Sequence, residues 1–206
     1  SFGKTEMWYV LQADKDSKLI VGFKENSNAA EYVENLKNKT LLSILDNVNV
    51  EVGDVFFLET GTVHAIGAGM VIAEIQQTSD ITYRLYDFDR VDAAGNQREL
   101  HVDLALDAIN YNKIDTYKKY NKELNQSNSV VDCPYFTTNF IPLDGKVAVN
   151  KSGNSFTVYM CVEGEFELEY DDVKIKYIKG DTVLVPAVLK TFVISGKASL
   201  LEIYIS

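Results

Sequence analysis

The sequence predicts an all-β protein made of two related barrels or jelly rolls with a small helical insert. Three observations carry that expectation. Short apolar or alternating segments, bounded by Gly, Asn and Asp, recur along nearly the whole chain, as half-buried strands do. Helical spacing is confined to a few stretches. One strand-rich unit is also echoed. Val50-Glu51-Val52-Gly53-Asp54-Val55-Phe56-Phe57-Leu58 resembles Lys176-Tyr177-Ile178-Lys179-Gly180-Asp181-Thr182-Val183-Leu184-Val185. In each copy a Gly-Asp pair makes a tight turn, because Gly takes positive φ freely and Asp bonds its own backbone.

The elements follow in order. Met7 to Leu11 and Lys18 to Phe23 read as strands around a polar turn at Ala13 to Asp16. Asn28 reads as a helix cap. Ala29, Tyr32, Val33 and Leu36 follow at helical spacing, with Glu31 in the first turn. Leu41 to Leu45 reads as a second short helix, so the helical insert spans about 28–45. Strands are expected at Val48 to Val50, Val55 to Leu58, Val71 to Gln76 and Ile81 to Tyr86, then a turn at Asp92 to Asn96. Leu100 to Ile109 reads as a helix with Leu104, Ala105 and Ala108 on one face. Residues 111–130 are polar and lysine-rich and read as a linker or long surface excursion between domains at 1–110 and 131–206. Further strands are expected at Tyr135 to Pro142, Phe156 to Val162, Glu165 to Tyr170, Val173 to Tyr177, Thr182 to Val185, Thr191 to Ile194 and Ser199 to Ile203.

The totals exclude several classes. Thirty acidic against twenty basic side chains give a net charge of -10, which repels a nucleic-acid backbone or an anionic membrane. No apolar run is long enough to span a bilayer as a helix. Cys133 and Cys161 form no CxxC pair and read as buried free thiols, as expected of a reducing cytoplasm. Neither a nucleic-acid nor a membrane partner is expected. The chain opens at Ser1 with a candidate motif directly behind it, which points to a longer parent protein.

Few residues have metal or acid-base chemistry. Of the two histidines, His64 sits among small residues just after a strand, in Gly61-Thr62-Val63-His64-Ala65. It reads equally as a ligand at a barrel mouth and as a hydrogen-bonded turn residue. His101 leads a helix and reads as structural. Lys4 and Glu6 share one strand face. They make either a surface ion pair or a carboxylate kept ionised to hold a metal. Glu74 and Gln76 share another strand face, and Thr82, Arg84 and Tyr86 a third. Polar residues alternating through core-like strands suggest a pocket. Arg84 suits a phosphate or a developing oxyanion. The competing reading is a network of Arg84 and Arg90 with Asp80, Asp87 and Asp89.

Taken in order, Gly3-Lys4-Thr5-Glu6-Met7-Trp8-Tyr9, Gly61-Thr62-Val63-His64-Ala65, Gln76 to Asp87 and Arg98-Glu99-Leu100-His101 resemble the type I mannose-6-phosphate isomerases. The resemblance implies a double cupin, with a metal-site domain at 1–110 and a degenerate second cupin at 131–206. It implies a zinc ion held by Gln, His, Glu and His. Glu6 and His64 match the last two, and the Gln-x-His pair belongs upstream of Gly3. Arg84, Lys4, Glu74 and Asp80 match polar positions of the family's catalytic pocket. Thr191, ten residues after Asp181 as His64 is after Asp54, marks a second unit without metal. The implied reaction interconverts mannose 6-phosphate and fructose 6-phosphate through an enediol, so the expected partner is a small sugar phosphate. With two ligands upstream of the chain, this fragment is expected to be impaired. The rival readings are a non-catalytic sugar-phosphate-binding cupin, an iron cupin dioxygenase, and a structural jelly roll in which Glu6 and His64 are incidental.

Overall fold

The computed structural model describes residues 3–79, 81–86, 90–151 and 155–205. Its elements are β1 (Glu6–Ala13), β2 (Lys18–Phe23), α1 (Ala29–Lys37), α2 (Leu41–Ile44), β3 (Leu45–Asn49), β4 (Val55–Leu58), β5 (His64–Ile66), β6 (Met70–Gln76) and α3 (Val102–Ala105). Then come β7 (Asn128–Asp132), β8 (Thr137–Asn150), β9 (Thr157–Tyr170), β10 (Val173–Ile178), β11 (Thr182–Val185) and β12 (Thr191–Tyr204). Among the described residues strand far outweighs helix, as the sequence predicts. Two compact units form, Ser1–Tyr117 and Lys118–Ser206.

The first unit holds two antiparallel sheets, ordered β4-β1-β6 and β3-β2-β5. Trp8, Val10, Phe56 and Leu58 of one bury against Leu19 and Val21 of the other. Fully burying one such side chain is worth roughly 1.5–3 kcal/mol. Ile20 and Phe23 instead pack with Tyr32, Leu41, Leu45 and Val63 beneath the helices. Strict alternation would put Phe23 on Val21's side. Gly22, at φ 102, sits in a register shift between Ile20 and Phe23 and resets the faces.

Helix α1 starts as expected, with Asn28 Oδ1 accepting the Glu31 N–H at 3.0 Å. Its Tyr32 is fully buried, and the hydroxyl makes no hydrogen bond among the described residues. Burial, then the neighbouring Tyr111, pushes the phenol up to about 12 from 10.0. A raised phenol pKa favours the protonated form in the fold. That contribution is complete below the unfolded value near 10.0 and is lost as pH rises towards 12. Tyr32→Phe is therefore expected to leave stability at neutral pH unchanged or about 1 kcal/mol higher. It should also weaken the fall in melting temperature above pH 10, measurable by thermal unfolding across an alkaline series.

In the second unit one sheet runs β10-β9-β12-β8-β7, with β11 also paired to β9. Where the sequence suggested two strands at 156–170 and two at 191–203, the chain makes single strands of 14 residues, β9 and β12. The apparent breaks are mid-strand bends. A Cβ on Gly164 would lie 2.2 Å from Lys197 O, and one on Gly196 2.6 Å from Glu165 O. Glycine lets the two backbones pass closely there.

Two other expectations fail in part. Residues 81–86 form no strand, because their backbone bonds elsewhere: Arg84 N–H donates to His101 Nδ1 and Arg84 O accepts from His101 N–H. The helix expected at 100–109 is reduced to α3, with Ala105 buried but Leu104 exposed, so the proposed face does not exist. The polar stretch 111–130 is bonded to its neighbours at several points. Thr116 O accepts from Phe57 N–H and Tyr117 bridges to Phe56, while Tyr120 packs on Phe140 and Asn125 N–H donates to Pro142 O.

The echoed turns superpose in chemistry. Gly53 and Gly180 have φ of 92 and 93, and the Asp54 and Asp181 carboxylates accept from Glu51 N–H and Ile178 N–H, each at 2.8 Å. Val10 and Cys161 exchange the same pair of backbone bonds with these turns. Counting back along β1 and β9, Thr157 stands where Glu6 stands, and Tyr159 where Trp8 stands. The equivalent of His64 is not Thr191. Leu19 pairs with Ile66 and Leu168 with Ile194, which puts Phe192 in its place. Ring contacts agree: Trp8 meets His64 at 5.1 Å and Tyr159 meets Phe192 at 5.9 Å. The second loop is one residue longer, so counting ten from the turn falls one short.

Candidate metal centre and active site

Glu6 opens the central strand of its sheet, paired with Leu58 on one side and Gln76 on the other. That position carries its carboxylate to 1% exposure. Oε2 accepts the Trp8 indole N–H at 2.9 Å. Among the described residues Oε1 has one polar side-chain partner at close range, the Lys4 ammonium at 3.0 Å, which pairs with its charge. Lys4 also reaches Glu74 Oε1 at 3.4 Å.

His64 is delivered by a braced loop. Gly61 has φ 90, and a Cβ there would lie 2.5 Å from Ala108 O. Gly61 O accepts from Asn110 N–H, and Val63 O accepts from Gly22 N–H at the β2 bulge. β5 then pairs His64 with Val21. The Nδ1 of His64 lies 2.7 Å from Thr62 O, an acceptor, so Nδ1 carries a proton, and in the neutral tautomer Nε2 presents its lone pair. Nε2 faces Glu6 Oε1 at 3.7 Å. Two electron-rich atoms thus converge, one of them buried. A neutral imidazole nitrogen and a carboxylate oxygen are zinc donors.

These groups open on a cleft of about 470 Å³. Lys4, Glu6, Thr60, Thr62, His64 and Arg84 line its polar part, and Ile20, Leu41, Leu45 and Ile109 its apolar part. Burial works to lower the Lys4 pKa, but Glu6 and Glu74 outweigh it and hold the ammonium above its ordinary range. Arg84 is fixed from behind by His101 and by Glu99 O, which accepts from Nη1 at 3.2 Å.

Lys4, Glu6, His64 and Glu74 therefore form one connected set, and Arg84 lines the same cleft. Glu74 is exposed, pairs with Trp8 across the strands, and is not among the residues that line the cleft. Asp80, together with Asp87 and Asp89, lies outside the described residues. Among the described residues no third His, Cys, Asp or Glu joins Glu6 and His64. Sequence reasoning missed Trp8, although it sits two residues from Glu6 on the same strand face. It also missed the Thr62 carbonyl, for which a backbone atom leaves no signal.

A family model for the cupin domain of mannose-6-phosphate isomerase matches residues 126–205. Mannose-6-phosphate isomerase ManA of Bacillus subtilis is 33% identical over 199 residues, covering 95% of this chain. Over nearly its whole length the chain is similar to cupin-type mannose-6-phosphate isomerases. The Streptococcus mutans mannose-6-phosphate isomerase is 31% identical over 94% of the chain. The crystal structure of a family member from Bacillus subtilis matches 99% of this chain and 65% of its own, with a TM-score of 0.90 at 30% identity. A Salmonella typhimurium phosphomannose isomerase, at 15% identity and TM-score 0.77, shares the fold. The chain spans 62% and 61% of the length of the two curated family members.

Proposed function

We propose that this chain carries most of the active site of a zinc-dependent isomerase that interconverts mannose 6-phosphate and fructose 6-phosphate through an enediol. The observation that carries the reading is the buried Glu6 Oε1 facing the His64 Nε2 lone pair at the head of a cleft that also holds Lys4 and Arg84. Glu6 and His64 fit a metal as two of the four ligands expected of the family. A bound zinc would supply Lewis-acid polarisation of the sugar oxygens.

The chain's own residues divide the remaining work. Lys4 stays protonated at neutral pH, so it donates hydrogen bonds and positive charge and does not act as the base. A carboxylate is the group suited to move a proton between C1 and C2, and Glu74, 3.4 Å from Lys4, is the candidate for that role. Arg84 meets the charge that builds on O1 and O2, or anchors the phosphate. Thr60 and Thr62 offer hydroxyls to the sugar, and Ile20, Leu41 and Leu45 exclude water. Two free cysteines suit a cytoplasmic setting, and no helix among the described residues is long and apolar enough to cross a membrane.

The test is isotope exchange. With zinc present, incubation of mannose 6-phosphate in deuterated water is expected to give fructose 6-phosphate and deuterium at the exchanging carbon, more slowly than with a full-length isomerase. Binding without exchange favours the non-catalytic sugar-phosphate-binding reading, and no binding overturns both.

A further inference from the structure

Trp8 is 2% exposed and touches both candidate ligands. Its indole N–H donates to Glu6 Oε2 at 2.9 Å. Its ring meets the His64 imidazole at 5.1 Å and 90°. The indole is itself locked by Val10, Leu19, Val21, Phe56 and Leu58 in the core between the sheets. A hydrogen bond to a charged oxygen in such a place is both strong and directional.

We infer that Trp8 is the positioning residue of the Glu6–His64 pair. By occupying Oε2 it leaves Oε1 as the oxygen that faces Nε2, and by packing edge-on it limits rotation of the imidazole. Groups behind metal ligands set ligand orientation and basicity in this way. The second unit supplies a contrast. There Tyr159, in Trp8's place, donates to Glu202 at 2.7 Å, while Thr157 and Phe192 replace the two ligands. A polar aromatic on this strand turns towards whichever carboxylate is present.

The inference rests on the reading that a divalent cation binds Glu6 and His64, and the test separates the two. Zinc affinity is measured by competition with a chromophoric chelator for the unaltered protein and for Trp8→Phe, with circular dichroism and thermal unfolding as checks on folding. Trp8→Phe keeps a ring and removes the N–H, and its affinity is expected to fall about 10–100-fold. Equal zinc affinity in both proteins overturns the role of Trp8 alone. No zinc uptake by the unaltered protein overturns the metal reading and this inference with it. A second measurement needs no change at Trp8, which is the chain's single tryptophan. Its indole N–H resonance is expected to exchange slowly with solvent and to shift on zinc addition, and Glu6→Gln should remove the shift. An indole signal indifferent to zinc overturns the inference.

Discussion

Glu6→Gln is expected to abolish stoichiometric zinc uptake and to lower isomerase turnover by on the order of 1000-fold, the scale of losing several kcal/mol of charge stabilisation. The substitution is nearly isosteric, so the strand pairing with Leu58 and Gln76 survives. What changes is the oxygen facing His64 Nε2, which loses its negative charge. Neutralising the buried carboxylate relieves its desolvation but also removes the ion pair with Lys4 at 3.0 Å, and thermal unfolding of the metal-free variant reads the balance. Metal analysis after dialysis, turnover and thermal unfolding together decide the matter. A variant that retains one zinc per chain removes Glu6 from the ligand set. A variant that unfolds without zinc means that the carboxylate is structural.

Arg84→Ala is expected to lower kcat by about 100- to 1000-fold, the usual loss when one preorganised donor to developing charge is removed. Zinc affinity should be unchanged. The hydrogen bond from the Arg84 side chain to Glu99 O is exposed, so little stability is at stake. Arg84→Lys separates charge from shape. It keeps the cation and loses the planar fork, so partial recovery is expected if the group meets diffuse charge and almost none if it grips a phosphate in two places. Steady-state kinetics read this directly. Loss of zinc together with activity would show that Arg84 supports the ligands.

Much of this was legible in the residues. Asn28 and Glu31 marked the start of α1, and the Gly-Asp turns marked the repeat, because both signals are local. Lys4 and Glu6 were placed on one face by strand period alone. Three features were out of reach for one reason: they depend on partners distant in sequence. Residues 81–86 carry strand-like alternation, but the backbone of Arg84 is bonded by His101, 17 positions away. Gly164 and Gly196 look like turn residues, yet they serve close passage between β9 and β12. Phe192, not Thr191, stands for His64, because the loop gained a residue and counting could not detect it. In the site itself, Glu6 and His64 were singled out as ligands by the resemblance, since by chemistry alone an ion pair and a turn histidine fitted as well. The hydrogen-bonding state of each oxygen and nitrogen was not legible, since Thr62 O and the Trp8 indole decide it.

The backbone at Thr116 and Tyr117 lies along the outer margin of β4, bonded to Phe57 and bridged to Phe56. Left bare, that margin would offer unpaired N–H and C=O groups to any other extended chain, the geometry from which sheets stack between molecules. The residues that leave the first unit thus act as its selvedge. Severing the protein at residue 110 would strip that border away and invite aggregation, whereas severing it after Tyr117 would keep the border whole.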